Sequence, residues 1–156
     1  MRLADLVKEW NQHKDKLKPT WKDALNNFDF VKTYQDKLNW RWISKHQKLS
    51  EEFIREFQDN WSWISWEEIS EKQKLSESFI REFKNKVDWY YISRYQKLSE
   101  PFIREFQDKV DWYYISKYQN ISTKFANEFK DKIIWTLFNQ NKNKRTKQNL
   151  EDLLAD

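Results

Sequence analysis

The chain has no cysteine and no glycine among its 156 residues. The first absence excludes disulfides, thiolate metal sites and cysteine nucleophiles. The second excludes Gly-rich phosphate loops, nucleophile elbows and two-residue hairpins that need a positive φ. Proline occurs twice, at Pro19 and Pro101, so little in the chain opposes helix. The two histidines, His13 and His46, lie far apart, and no His-x3-His or Glu-x2-His spacing offers a zinc or di-iron site. No stretch approaches the ~18 apolar residues of a spanning helix, and Met1-Arg2-Leu3-Ala4-Asp5 does not open a secretory signal. These absences predict an all-α, cytoplasmic protein that is not an enzyme. They predict no cofactor, no metal, no membrane partner and no small-molecule substrate.

Aromatic residues are abundant instead: 10 Trp, 7 Tyr and 11 Phe, 18% of the chain. Such rings can fill a large core with few aliphatics. The net charge of +4 is distributed unevenly. Residues 1–50 carry +5, residues 51–138 carry −2, residues 139–148 carry +4 and the last eight carry −3.

An internal repeat organises the sequence. Phe-Ile-Arg-Glu-Phe stands at 53–57, 79–83 and 102–106, with diverged copies at 30–34 and 125–129. A tryptophan follows each copy, at Trp40, Trp66, Trp89, Trp112 and Trp135, at spacings of 26, 23, 23 and 23. The three extra residues fall within 60–65. The shared pattern is W-x-x-I-S-x-x-Q-x-L-S-E-x-F-I-R-E-F.

Each unit reads as two short helices. Trp89, Ile92, Ser93 and Gln96 sit at i, i+3, i+4 and i+7, one helical stripe, with Asp88 placed to cap it. Ser99 is the N-cap of a second helix that carries Phe102, Ile103 and Phe106. Leu98 and Ile103 flank that cap at the spacing of a hydrophobic staple, and Pro101 falls in the first turn, where its missing N–H costs nothing. Helices of about ten residues do not persist in isolation, so the units must stack. The predicted architecture is all-α: two-helix repeats of about 23 residues, stacked as an α/α array or closed into a compact bundle. Residues 1–29 are expected to form a helical cap, with Leu3, Leu6, Val7 and Trp10 on one face. Residues 30–138 form the repeats. Residues 139–156 form a basic Asn/Lys-rich linker and a short amphipathic helix, all within a single domain.

The recurring Ser44, Ser70, Ser93 and Ser116 read as small spacers beside the tryptophans, and Gln47, Gln73, Gln96 and Gln119 as partners for loop carbonyls or amides. Two stripes are candidates for binding. Two and six residues after the first four repeat tryptophans stand Trp42 and His46, Glu68 and Lys72, Tyr91 and Tyr95, then Tyr114 and Tyr118, of which the aromatic pairs are the candidates. These lie opposite the tryptophan and either anchor a partner or fill a second core. Lys32, Arg55, Arg81 and Arg104 share one register position and form a candidate phosphate ladder. The next register position holds an acid in four units, Glu56, Glu82, Glu105 and Glu128, and Glu51–Arg55, Glu77–Arg81 and Glu100–Arg104 can pair at i,i+4. Lys142, Lys144, Arg145 and Lys147 add a basic segment.

Over about residues 30–138, the motif W-x-x-I-S-x-x-Q-x-L-S-E-x-F-I-x-x-F resembles short helical repeats of phage and large-DNA-virus proteins. The resemblance implies a helical-repeat scaffold of viral origin. By analogy with small cysteine-free phage proteins, it suggests an anti-CRISPR-type inhibitor that binds a host protein or ribonucleoprotein complex, such as an RNA-guided nuclease. The alternatives are an RNA-binding helical-repeat protein, using the same aromatics and the Arg ladder, and a structural or scaffold component.

Overall fold

The computed structural model describes Lys32, residues 40–58 and residues 65–155, with the side chains of all of these but residue 42 and residues 148–155. The cap expected over 1–29 and the insertion at 60–65, Ser65 excepted, lie outside the described residues. Among the described residues there are nine helices and no strand. Five begin at the repeating tryptophan: α1 (Trp40–His46), α3 (Trp66–Lys72), α5 (Trp89–Tyr95), α7 (Trp112–Tyr118) and α9 (Trp135–Ala155). Between them lie the Phe helices α2 (Glu51–Phe57), α4 (Glu77–Glu82), α6 (Glu100–Glu105) and α8 (Thr123–Glu128). The chain divides into two compact units, Met1–Glu68 and Ile69–Asp156.

In the first unit Trp40 is buried against Phe53 and Phe57, at ring separations of 6.1 and 5.7 Å. Ser50 caps α2 by accepting from the Phe53 amide. Arg55 pairs with Glu51 at 3.6 Å, and Lys32 pairs with Glu56.

In the second unit the repeats stack in sequence, with α7 packed against both α5 and α9. The core is the expected stripe: Ile92, Ile103, Ile115, Phe79, Phe102 and Phe125 are fully enclosed. Each Phe helix starts at the predicted serine. The hydroxyls of Ser76, Ser99 and Ser122 accept from the amides of Phe79, Phe102 and Phe125. Asp88 and Asp111 cap α5 and α7, the first accepting from the Tyr90 and Tyr91 amides. Trp89 and Trp112 are half-buried lids rather than full core residues. Their indoles cover Phe106 and Phe129 at 4.9 and 5.0 Å, and their N–H groups donate to the Lys84 and Gln107 carbonyls.

The recurring polar residues join one repeat to the next. The hydroxyl of Ser93 donates to the Trp89 carbonyl at 2.7 Å and accepts from the Asp111 amide at 2.9 Å. Ser116 does the same with the Trp112 carbonyl and the Ile134 amide, and the Ser70 hydroxyl accepts from the Asp88 amide. Gln96, buried, accepts from the Leu75 amide and donates to the Ser70 and Gln73 carbonyls. Gln119 repeats this on Leu98, Ser93 and Gln96. The loop after each Trp helix leaves backbone groups that no helix satisfies, and the next repeat supplies the partner. The serines are therefore connectors, more than the spacers that their size suggests.

Residues 139–148 form no linker. They lie inside α9, which runs unbroken for 21 residues. Phe138 is enclosed at the position that Ile92 and Ile115 hold in their repeats, and Asn141, one residue before the glutamine position that Lys142 now occupies, takes over the bond to the Gln119 carbonyl at 2.9 Å.

Candidate functional site

The positive ladder expected along the Phe helices is met by carboxylates of the repeats. Arg81 donates to Glu105 at 2.7 Å, with the expected partner Glu77 at 3.8 Å. Arg104 grips Glu128 through two bonds of 2.8 Å. Those bonds hold the Glu128 carboxyl below its ordinary range and raise the Arg104 guanidinium above its own. Glu105 and Glu128 thus each hold the arginine one repeat earlier, as Glu56 holds Lys32. Glu77 and Glu100 are likewise occupied, accepting from the amides of Ser99 and Ser122 at 2.6 Å.

The aromatic stripe behaves differently. Tyr91 and Tyr95 stack on α5 at 6.1 Å and 13°, and Tyr114 and Tyr118 stack on α7 at 5.9 Å and 8°. Tyr95 and Tyr118 are 45% and 46% exposed, so they fill no second core. The sequence reading missed the neighbours that complete this face. Tyr90 and Tyr113, 40% and 42% exposed, immediately follow the tryptophans. Tyr90 meets Tyr114 edge to face at 4.7 Å, and the Tyr114 hydroxyl donates to the Tyr90 oxygen at 2.7 Å. That bond lowers the Tyr90 phenol and raises the Tyr114 phenol relative to an ordinary tyrosine.

Two cations complete the surface. Arg94 donates to the Tyr90 oxygen at 3.2 Å and lies over the rings of Tyr95 and Tyr114 at 4.9 and 5.4 Å. Lys117 donates to the Tyr113 oxygen at 3.3 Å and covers Tyr113 and Tyr118 at 5.2 and 5.3 Å. These phenol bonds raise both cations above their ordinary values. The signal for Tyr90, Tyr113, Arg94 and Lys117 was present in the sequence: Trp-Tyr-Tyr-Ile-Ser-Arg/Lys-Tyr stands in two successive repeats. They stand one and five residues after the tryptophan, beside the positions two and six that lie opposite it.

The remaining candidates lie elsewhere. His46 is exposed on α1 in the first unit; Trp42 is on the same helix, its side chain outside the described residues. Lys142, Lys144, Arg145 and Lys147 lie on α9, where Lys142 donates to the Thr123 hydroxyl at 3.0 Å. The structure thus brings together four of the six aromatic candidates. Among the described residues no group of three or more His, Asp or Glu is placed to hold a metal ion, and no helix is long and apolar enough to cross a membrane. No family model matches the chain, and neither does a curated protein or a solved structure.

Proposed function

We propose that the chain is a non-catalytic protein-binding module, in which the stacked repeats hold the tyrosine face of α5 and α7 rigidly for a cytoplasmic protein partner. The exposure of this face carries the reading: Tyr90, Tyr95, Tyr113 and Tyr118 are exposed, and the half-buried Tyr91, Tyr114, Arg94 and Lys117 support them, outside a core that Ile and Phe already fill. Tyrosines bring large amphipathic contact area at low entropic cost, and desolvated aromatic anchors supply most of an interface's energy. The class of partner suggested by the resemblance is a host defence complex such as an RNA-guided nuclease, which the module would inhibit by occupancy. RNA is the weaker ligand on two counts. Arg81 and Arg104 already hold carboxylates. Tyr95 is flanked by Tyr91 and Arg94, and Tyr118 by Tyr114 and Lys117, where a nucleobase would have to stack.

The experiment titrates the wild type against purified RNA-guided nuclease complexes and against single-stranded RNA, at two salt concentrations, with nuclease cleavage as a second readout. Replacing Tyr91, Tyr95, Tyr114 and Tyr118 together by Ser should abolish partner binding and inhibition with the circular dichroism spectrum unchanged. Neutralising Lys142, Lys144, Arg145 and Lys147 should slow association and leave most of the affinity, because rim charges steer more than they hold. Tight, steeply salt-dependent binding to bare RNA would replace this reading with the RNA-binding one. Full inhibition by the tyrosine variant would remove the face from the mechanism.

A further inference from the structure

Lys142 and Arg145 of α9 are situated differently from Arg81, Arg104 and Lys132. Arg81, Arg104 and Lys132 meet carboxylates at 2.7, 2.8 and 3.3 Å. Lys142 instead reaches a neutral hydroxyl, that of Thr123, and the Nε of Arg145 is buried without a hydrogen-bond partner. A buried donor of a charged group left unmet is costly, and it marks Arg145 as a side chain that no acceptor of the fold holds at this atom.

A cavity of about 440 Å³ opens beside both cations, between the 120–123 loop and the α9 residues Lys142, Arg145 and Thr146. Its lining includes no carboxylate. The hydroxyls are available as donors. Ser122 accepts from the Phe125 amide and Thr123 accepts from Lys142, so each keeps its own proton to give. Ile121 is the one apolar side chain among the lining residues, which argues against an apolar ligand.

The repeat explains how the cavity arose. The corresponding groove two repeats earlier, along residues 74–77, includes Glu71 and Glu77 among its lining; the groove between them is lined by Arg94 and Lys97 and, like the last, by no carboxylate. The position of Glu77 is Glu100 in the next repeat and Thr123 in the last, so the acid disappears from the register at this place. The Trp helices α5 and α7 stop before their glutamines, whereas α9 continues. Its additional turns carry Lys142 and Arg145, three residues apart and so on one helical face, to the groove that lost its acid.

We infer that this cavity binds the phosphate group of a small phosphate monoester such as a sugar phosphate. The guanidinium of Arg145 matches two phosphate oxygens, Lys142 adds a point charge, and Ser122 and Thr123 donate to the rest. The volume falls in the range of small-ligand pockets and exceeds what a bare phosphate needs, leaving space for the carrier. This inference does not depend on the tyrosine face.

The test is a titration of the ¹⁵N-labelled full chain, followed by amide shifts, with inorganic phosphate, ribose 5-phosphate and ribose as separate probes at constant ionic strength. Saturable shifts confined to residues 120–123 and 142–146 with ribose 5-phosphate, and none with ribose, are expected. Weaker binding of inorganic phosphate would assign part of the contact to the carrier; equal binding would overturn the ester and leave a bare-phosphate site. Arg145→Gln and Lys142→Gln should each weaken the ester about tenfold, the loss of one charge-assisted bond, and Arg145→Lys should recover part of it. An unchanged dispersed spectrum in each variant keeps the comparison valid. Absence of saturable shifts with both phosphate probes, or equal affinity in the Gln variants, overturns the inference.

Discussion

At the scale of single residues, burial of the same helix turn splits into opposite consequences at two neighbours. Gln96 is buried and holds one amide and two carbonyls of the preceding repeat, whereas Tyr95 beside it is exposed. Gln96→Leu leaves those three backbone groups without partners in a dry interior. Each orphaned group costs about 1–3 kcal/mol, so a loss of roughly 3 kcal/mol or more is expected. Tyr95→Ala should cost under about 1 kcal/mol, as surface changes do. Urea denaturation of the two variants checks the pair, and similar losses would contradict the burial pattern. Trp89 falls between them. As a half-buried lid over Phe106 it should cost less on truncation than the enclosed Phe102, for which about 3–5 kcal/mol is expected.

At the scale of elements, the Phe helices are joined on their solvent side by ion pairs that act across repeats. The Arg104–Glu128 fork between α6 and α8 holds the Glu128 carboxyl below its unfolded value. A depressed carboxyl contributes stability that is present above the unfolded value and lost as pH falls through the folded one. Thermal melts from neutral to acid pH should therefore drop less steeply in Glu128→Gln than in the wild type. The difference should be small, since the pair is exposed, and should shrink with added salt. Parallel curves would show that the fork contributes nothing. The sequence makes most of this layer legible: Ser99, Asp88 and the Leu98/Ile103 spacing mark the helix starts, and the i, i+3, i+4 stripes mark the core. It misassigns α9 because the composition of 139–148 is polar, and polarity reads as a linker. The stripe was nevertheless there, Phe138, Asn141, Lys142 and Arg145 at i, i+3, i+4 and i+7, with polar side chains where an apolar pattern was sought. Of the candidate site, the tyrosines at Tyr91, Tyr95, Tyr114 and Tyr118 were legible from spacing. The partner of each arginine was not, because Glu105 and Glu128 are 24 residues away from Arg81 and Arg104 and a helical wheel shows only the nearer acids.

At the scale of the molecule, the second unit is a line of equivalent junctions, so a whole repeat should be removable where an arbitrary segment is not. Deleting residues 89–111 joins Asp88 directly to Trp112, the same Asp-Trp sequence that starts α5 and α7. The Ser70 hydroxyl would then accept from Asp88 as before, and Gln119 would take the role of Gln96 on the Leu75 amide and the Ser70 and Gln73 carbonyls. In a stack whose stability is a sum of repeats and junctions, the shortened chain loses one of each and keeps its cooperativity. It should remain helical by circular dichroism and unfold in urea with a lower midpoint and a smaller m-value, because less surface is exposed. Deleting residues 89–100 removes half a repeat, leaves Phe102 without a Trp helix before it, and should unfold the unit. The same shortened chain also tests the binding face. It lacks Tyr90, so the Tyr90–Tyr114 hydroxyl bond and the Arg94 contacts go while Tyr113, Tyr114, Tyr118 and Lys117 stay in their own repeat. A folded chain that binds its partner as tightly as the full protein would show that the two tyrosine repeats do not act as one surface; at least a hundredfold loss is expected if they do, about 3 kcal/mol of shared anchors.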